Sequence, residues 1–202
     1  MSSTEIVAIV LVLVIALLLV LVAMTALRKR RSANLRNDFG KEYDRTVEEA
    51  GKRRDAEKEL LARKEEHGSL ELRPLTRTAQ QRFTSAWTGI QTRFVDTPAL
   101  ALTEADALVT QLLSERGYPV DDFDTKTRLL SVEHTDVLEA YRHAHDVEEQ
   151  SRARTADTET VRNAFLDFRR VFEDVMAGAA ADDDQAPYPD DEPQVTRQRN
   201  RR

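Results

Sequence analysis

The chain has no cysteine among its 202 residues, which excludes a disulfide framework and any thiolate metal site. Glycine and proline number six each, so turn punctuation is sparse. No segment alternates apolar and polar residues with period two, which removes strands and leaves an all-α fold class. Basic residues are outnumbered, 30 against 36, for a net charge of −6. That balance opposes nucleic-acid binding, where phosphate contacts supply most of the affinity. The dinucleotide and phosphate-loop glycine patterns, the nucleophile elbow Gly-x-Ser-x-Gly and the zinc motif His-Glu-x-x-His are all missing. The expectation is therefore a protein that is not an enzyme, with no catalytic residue, no cofactor and no small-molecule ligand.

What is present begins with one long apolar run. Residues 6–27 contain a single non-apolar member, Thr25, and at about 1.5 Å per residue they rise roughly 33 Å, enough for a bilayer. The leader Met1–Glu5 has no basic side chain and the run is too long for a cleaved signal, so residues 1–27 read as an N-terminal transmembrane anchor held in the lipid bilayer. Arg28, Lys29, Arg30 and Arg31 follow at once, four positive charges against none in front. Such a flank marks the cytoplasmic side and offers contact with anionic headgroups. The sequence thus predicts a single-pass cell-membrane protein, N-terminus outside and C-terminal domain cytoplasmic. The run contains no glycine and no ionisable residue, so neither a Gly-x-x-x-Gly dimer face nor a proton path is expected.

Residues 28–67 read as a charged juxtamembrane helix, with 13 basic residues against 10 acidic over 28–66. Leu35, Phe39, Tyr43 and Val47 repeat at i, i+4, and Glu48/Lys52, Glu49/Arg53 and Glu59/Arg63 are spaced as helix-supporting ion pairs. The stripe lapses between Val47 and Leu60, so the second half is either solvated or paired with a partner helix. Sustained coiled-coil heptads are lacking.

His67-Gly68-Ser69 and Arg73-Pro74 mark a boundary, and residues 68–178 read as a bundle of about four helices. Phe83, Ala86, Trp87, Ile90 and Phe94 form one stripe, preceded by Thr78 and Gln81 in capping-box spacing. Thr97 reads as an N-cap with Pro98 in the first turn, and that helix stops at Gly117 and Pro119. Shorter helices are predicted over 122–130 and 135–150. Val161 to Met176 repeats 3-4-3-4 and should end before Gly178. Nine of the twelve aromatics lie between Phe83 and Phe172, which locates the core. Residues 179–202, with two acidic runs, three prolines and four late arginines, read as a disordered tail.

Arg116 and Tyr118 beside the Gly117 stop are the candidate interaction residues. Either they close a helix end inward, or they form an exposed recognition pair, since Tyr and Arg are enriched at binding hot spots. His143 and His145 are two apart and face opposite ways on a helix, so no metal site is expected.

The phrases Phe39-Gly40-Lys41-Glu42-Tyr43-Asp44-Arg45, Leu72-Arg73-Pro74-Leu75, Arg93-Phe94-Val95-Asp96, Glu104–Val109 and Arg116-Gly117-Tyr118-Pro119 resemble a widespread bacterial family, of actinobacterial type, of short single-pass membrane-anchored helical proteins. The resemblance covers roughly residues 36–176. It implies the anchored helical architecture and no reaction, cofactor or catalytic residue. The function expected is a membrane-tethered, non-enzymatic adaptor or scaffold whose bundle docks a protein partner. The rival is an envelope-facing or cytoplasmic ligand-sensing or enzymatic bundle with a pocket lined by Trp87, Tyr118 and Tyr141.

Overall fold

A computed structural model describes residues 3–183, and every element among them is an α-helix. In chain order these are α1 (Ser3–Ala50), α2 (Arg53–Gly68), α3 (Arg77–Phe94), α4 (Pro98–Arg116), α5 (Phe123–Leu130), α6 (Thr135–Arg152) and α7 (Thr158–Asp183).

The apolar run does not form a separate membrane-crossing unit. Helix α1 carries it without a break into the charged segment and bends only at Gly40 (φ 48°, ψ −123°). Among the described residues no helix is long and apolar enough to cross a membrane. This corrects the expectation of a transmembrane anchor, and with it the single-pass localisation and the outside-to-inside topology.

The charged segment is not one helix either. Gly51 takes φ 67° and its amide donates to the Val47 carbonyl at 3.1 Å, a left-handed turn that glycine adopts without steric cost. The chain reverses there, and α2 packs back on α1. Leu35, Phe39 and Tyr43 of α1 bury against Leu60 of α2, with Val47, Leu61 and Val132 at the edge. The stripe that lapses after Val47 therefore finds its partner within the same chain. The turn also separates Glu49 from Arg53, which pair instead with Arg45 at 2.7 Å and with Glu57 at 2.9 Å; Glu59–Arg63 forms as spaced, at 3.1 Å.

The bundle has a single apolar core, with α7 packed between α4 and α6 and α3 laid on α4. Trp87 of α3 stacks on Phe165 and Phe172 of α7 at ring separations of 5.2 and 5.0 Å, and Phe94 stacks on Phe165 at 4.4 Å. Helix α3 starts earlier than its stripe suggests, because the hydroxyl of Thr76, rather than Thr78, accepts the cap bond, from the Ala79 amide at 3.2 Å. Pro98 opens α4 as expected. Gly117 closes it at φ 100°, with Tyr118 N–H donating to Leu113 O and Gly117 N–H to Ser114 O, both 3.0 Å. This is the paired-bond Schellman stop.

Helix α7 outruns its expected end. Gly178 lies within it because a Cβ there would sit 3.3 Å from the His134 ring, so this glycine permits a close approach rather than a stop. Ala179, expected in the tail, is fully buried in the core. The rest of the expected tail, residues 184–202, lies outside the described residues.

Candidate functional site

Two surface features and two buried polar clusters are available for function. The first surface feature is the bare half of α1. Leu17, Leu18, Leu19, Val20, Leu21, Val22, Met24 and Leu27 are 46–64% exposed. Since six consecutive residues take part, the apolar surface runs round the whole helix instead of along one stripe. Thr25 breaks its chemistry least, because its hydroxyl donates to the Val22 carbonyl at 2.8 Å.

The second is a groove where α1 meets the start of α2, about 610 Å³, lined by Arg31, Arg53, Arg54, Asp55, Glu57, Lys58 and Leu61. Its floor is a polar knot. The Arg53 Nε donates to Tyr43 Oη and to Glu57 Oε1, both 2.9 Å, the Tyr43 hydroxyl donates to the same carboxylate at 2.9 Å, and Ser32 bonds to both Glu57 and Arg53. Partial burial works to raise the Glu57 carboxyl, but these donors outweigh it and hold it below the usual carboxylate range. Glu57 and Arg53 thus satisfy each other, whereas among the described residues Arg31, Arg54 and Lys58 have no carboxylate within 4 Å. The groove is positive on balance. Of the four flank residues, Arg31 lines it, Lys29 and Arg30 are exposed on α1, and the Arg28 side chain lies outside the described residues.

The hairpin is fastened to the bundle by buried charge. Glu42 of α1 receives both guanidinium nitrogens of Arg142 on α6, at 2.8 and 2.9 Å, and Nη1 of Arg63 on α2 at 2.9 Å. The two arginines overcome the burial penalty and hold Glu42 below the ordinary carboxylate value. One turn beyond Arg63 on α2, His67 Nε2 lies 3.3 Å from Tyr118 Oη and 3.8 Å from Glu133. Burial pushes His67 down from its usual value, with the nearby Glu133 opposing and His134 reinforcing the shift.

Arg116 and Tyr118 point inward, 1% and 3% exposed, so they form no exposed recognition pair. Arg116 Nη1 donates to the Arg73 carbonyl at 2.7 Å, and the Arg73 amide returns a bond to the Arg116 carbonyl at 2.9 Å. Tyr118 donates to Glu133 at 3.2 Å. Trp87, Tyr118 and Tyr141 do not converge on a shared pocket: Trp87 packs on α7 phenylalanines, Tyr118 lies by His67 and His134, and Tyr141 packs between Phe123 and Phe168.

The second buried cluster carries catalytic residue types in a closed setting. Lys126 Nζ donates to Thr110 Oγ1 at 3.1 Å and sits 5.4 Å from the centres of both the Phe123 and Tyr141 rings. Burial pushes its ammonium down and the Tyr141 phenol up. His145 stacks on Phe123 at 3.8 Å and approaches Asp106 at 3.6 Å. Neither the α1–α2 groove nor the second groove, about 490 Å³ beside Arg77, Gln80 and Met176, includes any of these residues. His143 engages Asp167 on α7 instead, at 2.7 Å. Among the described residues no group of three or more His, Asp or Glu could hold a metal ion.

Sequence reasoning missed the Glu42 seam and the groove. Glu42 and Arg142 are 100 residues apart, and no local spacing announces such a pair. The groove left one signal, Lys52-Arg53-Arg54 in the first turn of a helix, where the dipole disfavours cations.

No family model, no curated protein and no solved structure matches the chain.

Proposed function

We propose that this protein is a non-enzymatic adaptor: the bundle and hairpin form a rigid base, and the bare half of α1 is its docking element for a protein partner. The observation that carries this reading is the exposure of residues 17–22 and of Met24 and Leu27 on every side of α1. Contiguous apolar surface of this kind marks an interaction site. The same helix passes directly into Lys29, Arg30 and Arg31, and like charges stacked in register oppose a parallel assembly of copies. The partner that fits is therefore a different helical protein, enclosing the apolar stretch and offering acidic residues beside the arginines.

Purified full-length chain should capture such a partner. Capture should be lost on replacing Leu18 and Leu21 with Gln, and should weaken with salt on replacing Arg30 and Arg31 with Gln. The captured protein should show acidic residues at the contact by cross-linking. A chain that assembles with itself through α1, or that co-purifies with a small molecule and no protein, would overturn the reading.

A further inference from the structure

We propose that the basic groove between α1 and α2 is occupied by this chain's own acidic segment Tyr188-Pro189-Asp190-Asp191-Glu192. The inference does not rest on the adaptor reading. Three observations carry it. The first is unbalanced charge: Arg31, Arg54 and Lys58 line the groove and have no carboxylate partner among the described residues.

The second is register. Leu61, Lys58 and Arg54 follow one another up one side of α2 at i+3 and i+4 steps, roughly 5–6 Å apart. An extended chain carries alternate side chains on one side at about 6.8 Å intervals. Ala186, Tyr188 and Glu192 each precede a proline, a position biased toward extended backbone. Tyr188 then meets Leu61, Asp190 meets Lys58, and Glu192 meets Arg54 and Arg31. A line of cations spaced this way suits a peptide carrying separated carboxylates better than one compact anion.

The third is reach. Gly178 of α7 lies against His134, the Tyr118 ring lies 6.4 Å from His134 and 5.8 Å from His67, and Lys58 lies nine residues, about 14 Å, back along α2 from His67. The groove is thus roughly 30–40 Å from Gly178. Five more residues of helix to Asp183 and nine extended residues to Glu192 cover about 40 Å.

Zero-length carbodiimide coupling of dilute full-length chain tests this, because Lys58 is the one amine lining the groove. The expected product is an intramolecular amide from Lys58 to Asp190 or Glu192, read by peptide mass spectrometry. Its yield should exceed several-fold the coupling of the same acids to the exposed Lys29, Lys41 and Lys64. It should fall as salt rises from about 0.01 M to 1 M, where the screening length drops from about 30 to 3 Å. Replacing Asp190, Asp191 and Glu192 with Asn, Asn and Gln changes no residue of the helices and should abolish it. Coupling spread evenly over those lysines, or found only between two copies, would overturn the proposal.

Discussion

The bundle and the hairpin are both made of paired amphipathic helices, but they are held by different chemistry. In the bundle, α3, α4, α6 and α7 close over one apolar core whose centre is stacked aromatic rings from Trp87, Phe165 and Phe172. The hairpin's apolar cluster is small, Leu35, Phe39, Tyr43 and Leu60, with Ala56 also buried, and it meets the bundle through Glu42, Arg63 and Arg142 and, one turn further along α2, through His67 with Tyr118. Apolar burial is indifferent to pH and salt on this scale, whereas a seam of charges that are buried only when docked stands or falls on its last partner. The two parts should therefore fail separately.

The largest effect is expected inside the bundle. Phe168 is fully buried on α7 and meets Tyr141 edge-on. Phe168→Ala should cost about 3–5 kcal/mol, read as a lower thermal midpoint of the whole bundle. Tyr118→Ala removes a buried ring at the junction and should cost a comparable amount, loosening α2 as well.

Glu42→Gln comes next. It keeps the shape and removes the charge, leaving Arg142 without its carboxylate and buried Arg63 with only the part-exposed Glu59, at a cost of about 3 kcal/mol. That loss should fall on hairpin docking and spare the bundle. Equal loss in both parts would break the comparison.

Smaller again is Gly117→Ala. The left-handed conformation costs an L-residue about 1–2 kcal/mol, and the new Cβ would lie 2.6 Å from the Glu71 carbonyl oxygen, so the backbone of 71–73 must shift. Denaturant unfolding should show a loss of about 2 kcal/mol with an unchanged slope.

Acid should loosen the two docking contacts of the hairpin in sequence. His67 is held below its ordinary value of about 6.5, so its neutral form is the one the fold favours; its contribution is present above that pH and is lost as pH falls through it toward the lowered value. Glu42 is held below about 4.5, so its contribution is present above that value and is lost only as pH falls through the lowered one. Tyrosine or tryptophan fluorescence read against hairpin-specific exchange on acidification from pH 7 should show the His67 step before the Glu42 step. The smallest effect belongs to Arg45→Ala, whose exposed pair with Glu49 should be worth about 0.3–0.5 kcal/mol.

How much of this was legible in the sequence follows the same division. The bundle announced itself, since its helices are bounded by local signals: Thr97-Pro98, Gly117 with Pro119, and the 3-4-3-4 repeat of α7. Gly178 misled because its reason is a neighbour 44 positions away in the chain, His134, and not the local stop chemistry glycine usually signals. The hairpin was half legible. Each stripe has the right period, but whether Leu60 faces Phe39 or solvent is decided by Gly51 and by contacts no window contains. Buried Glu42 and Arg142 read like any surface charge. The apolar run of α1 and its continuation into a charged helix were legible, while the reversal at Gly51 that folds α2 back on it was not.

Amide hydrogen exchange on the full chain at pH 7, with and without Glu42→Gln, tests the separation of the two parts most directly. The account predicts that amides of α2 lose protection by about 100-fold in the variant, the factor that roughly 3 kcal/mol implies, while those of α4, α6 and α7 exchange as before. Protection falling together across α2 and the bundle, or in neither, would contradict it.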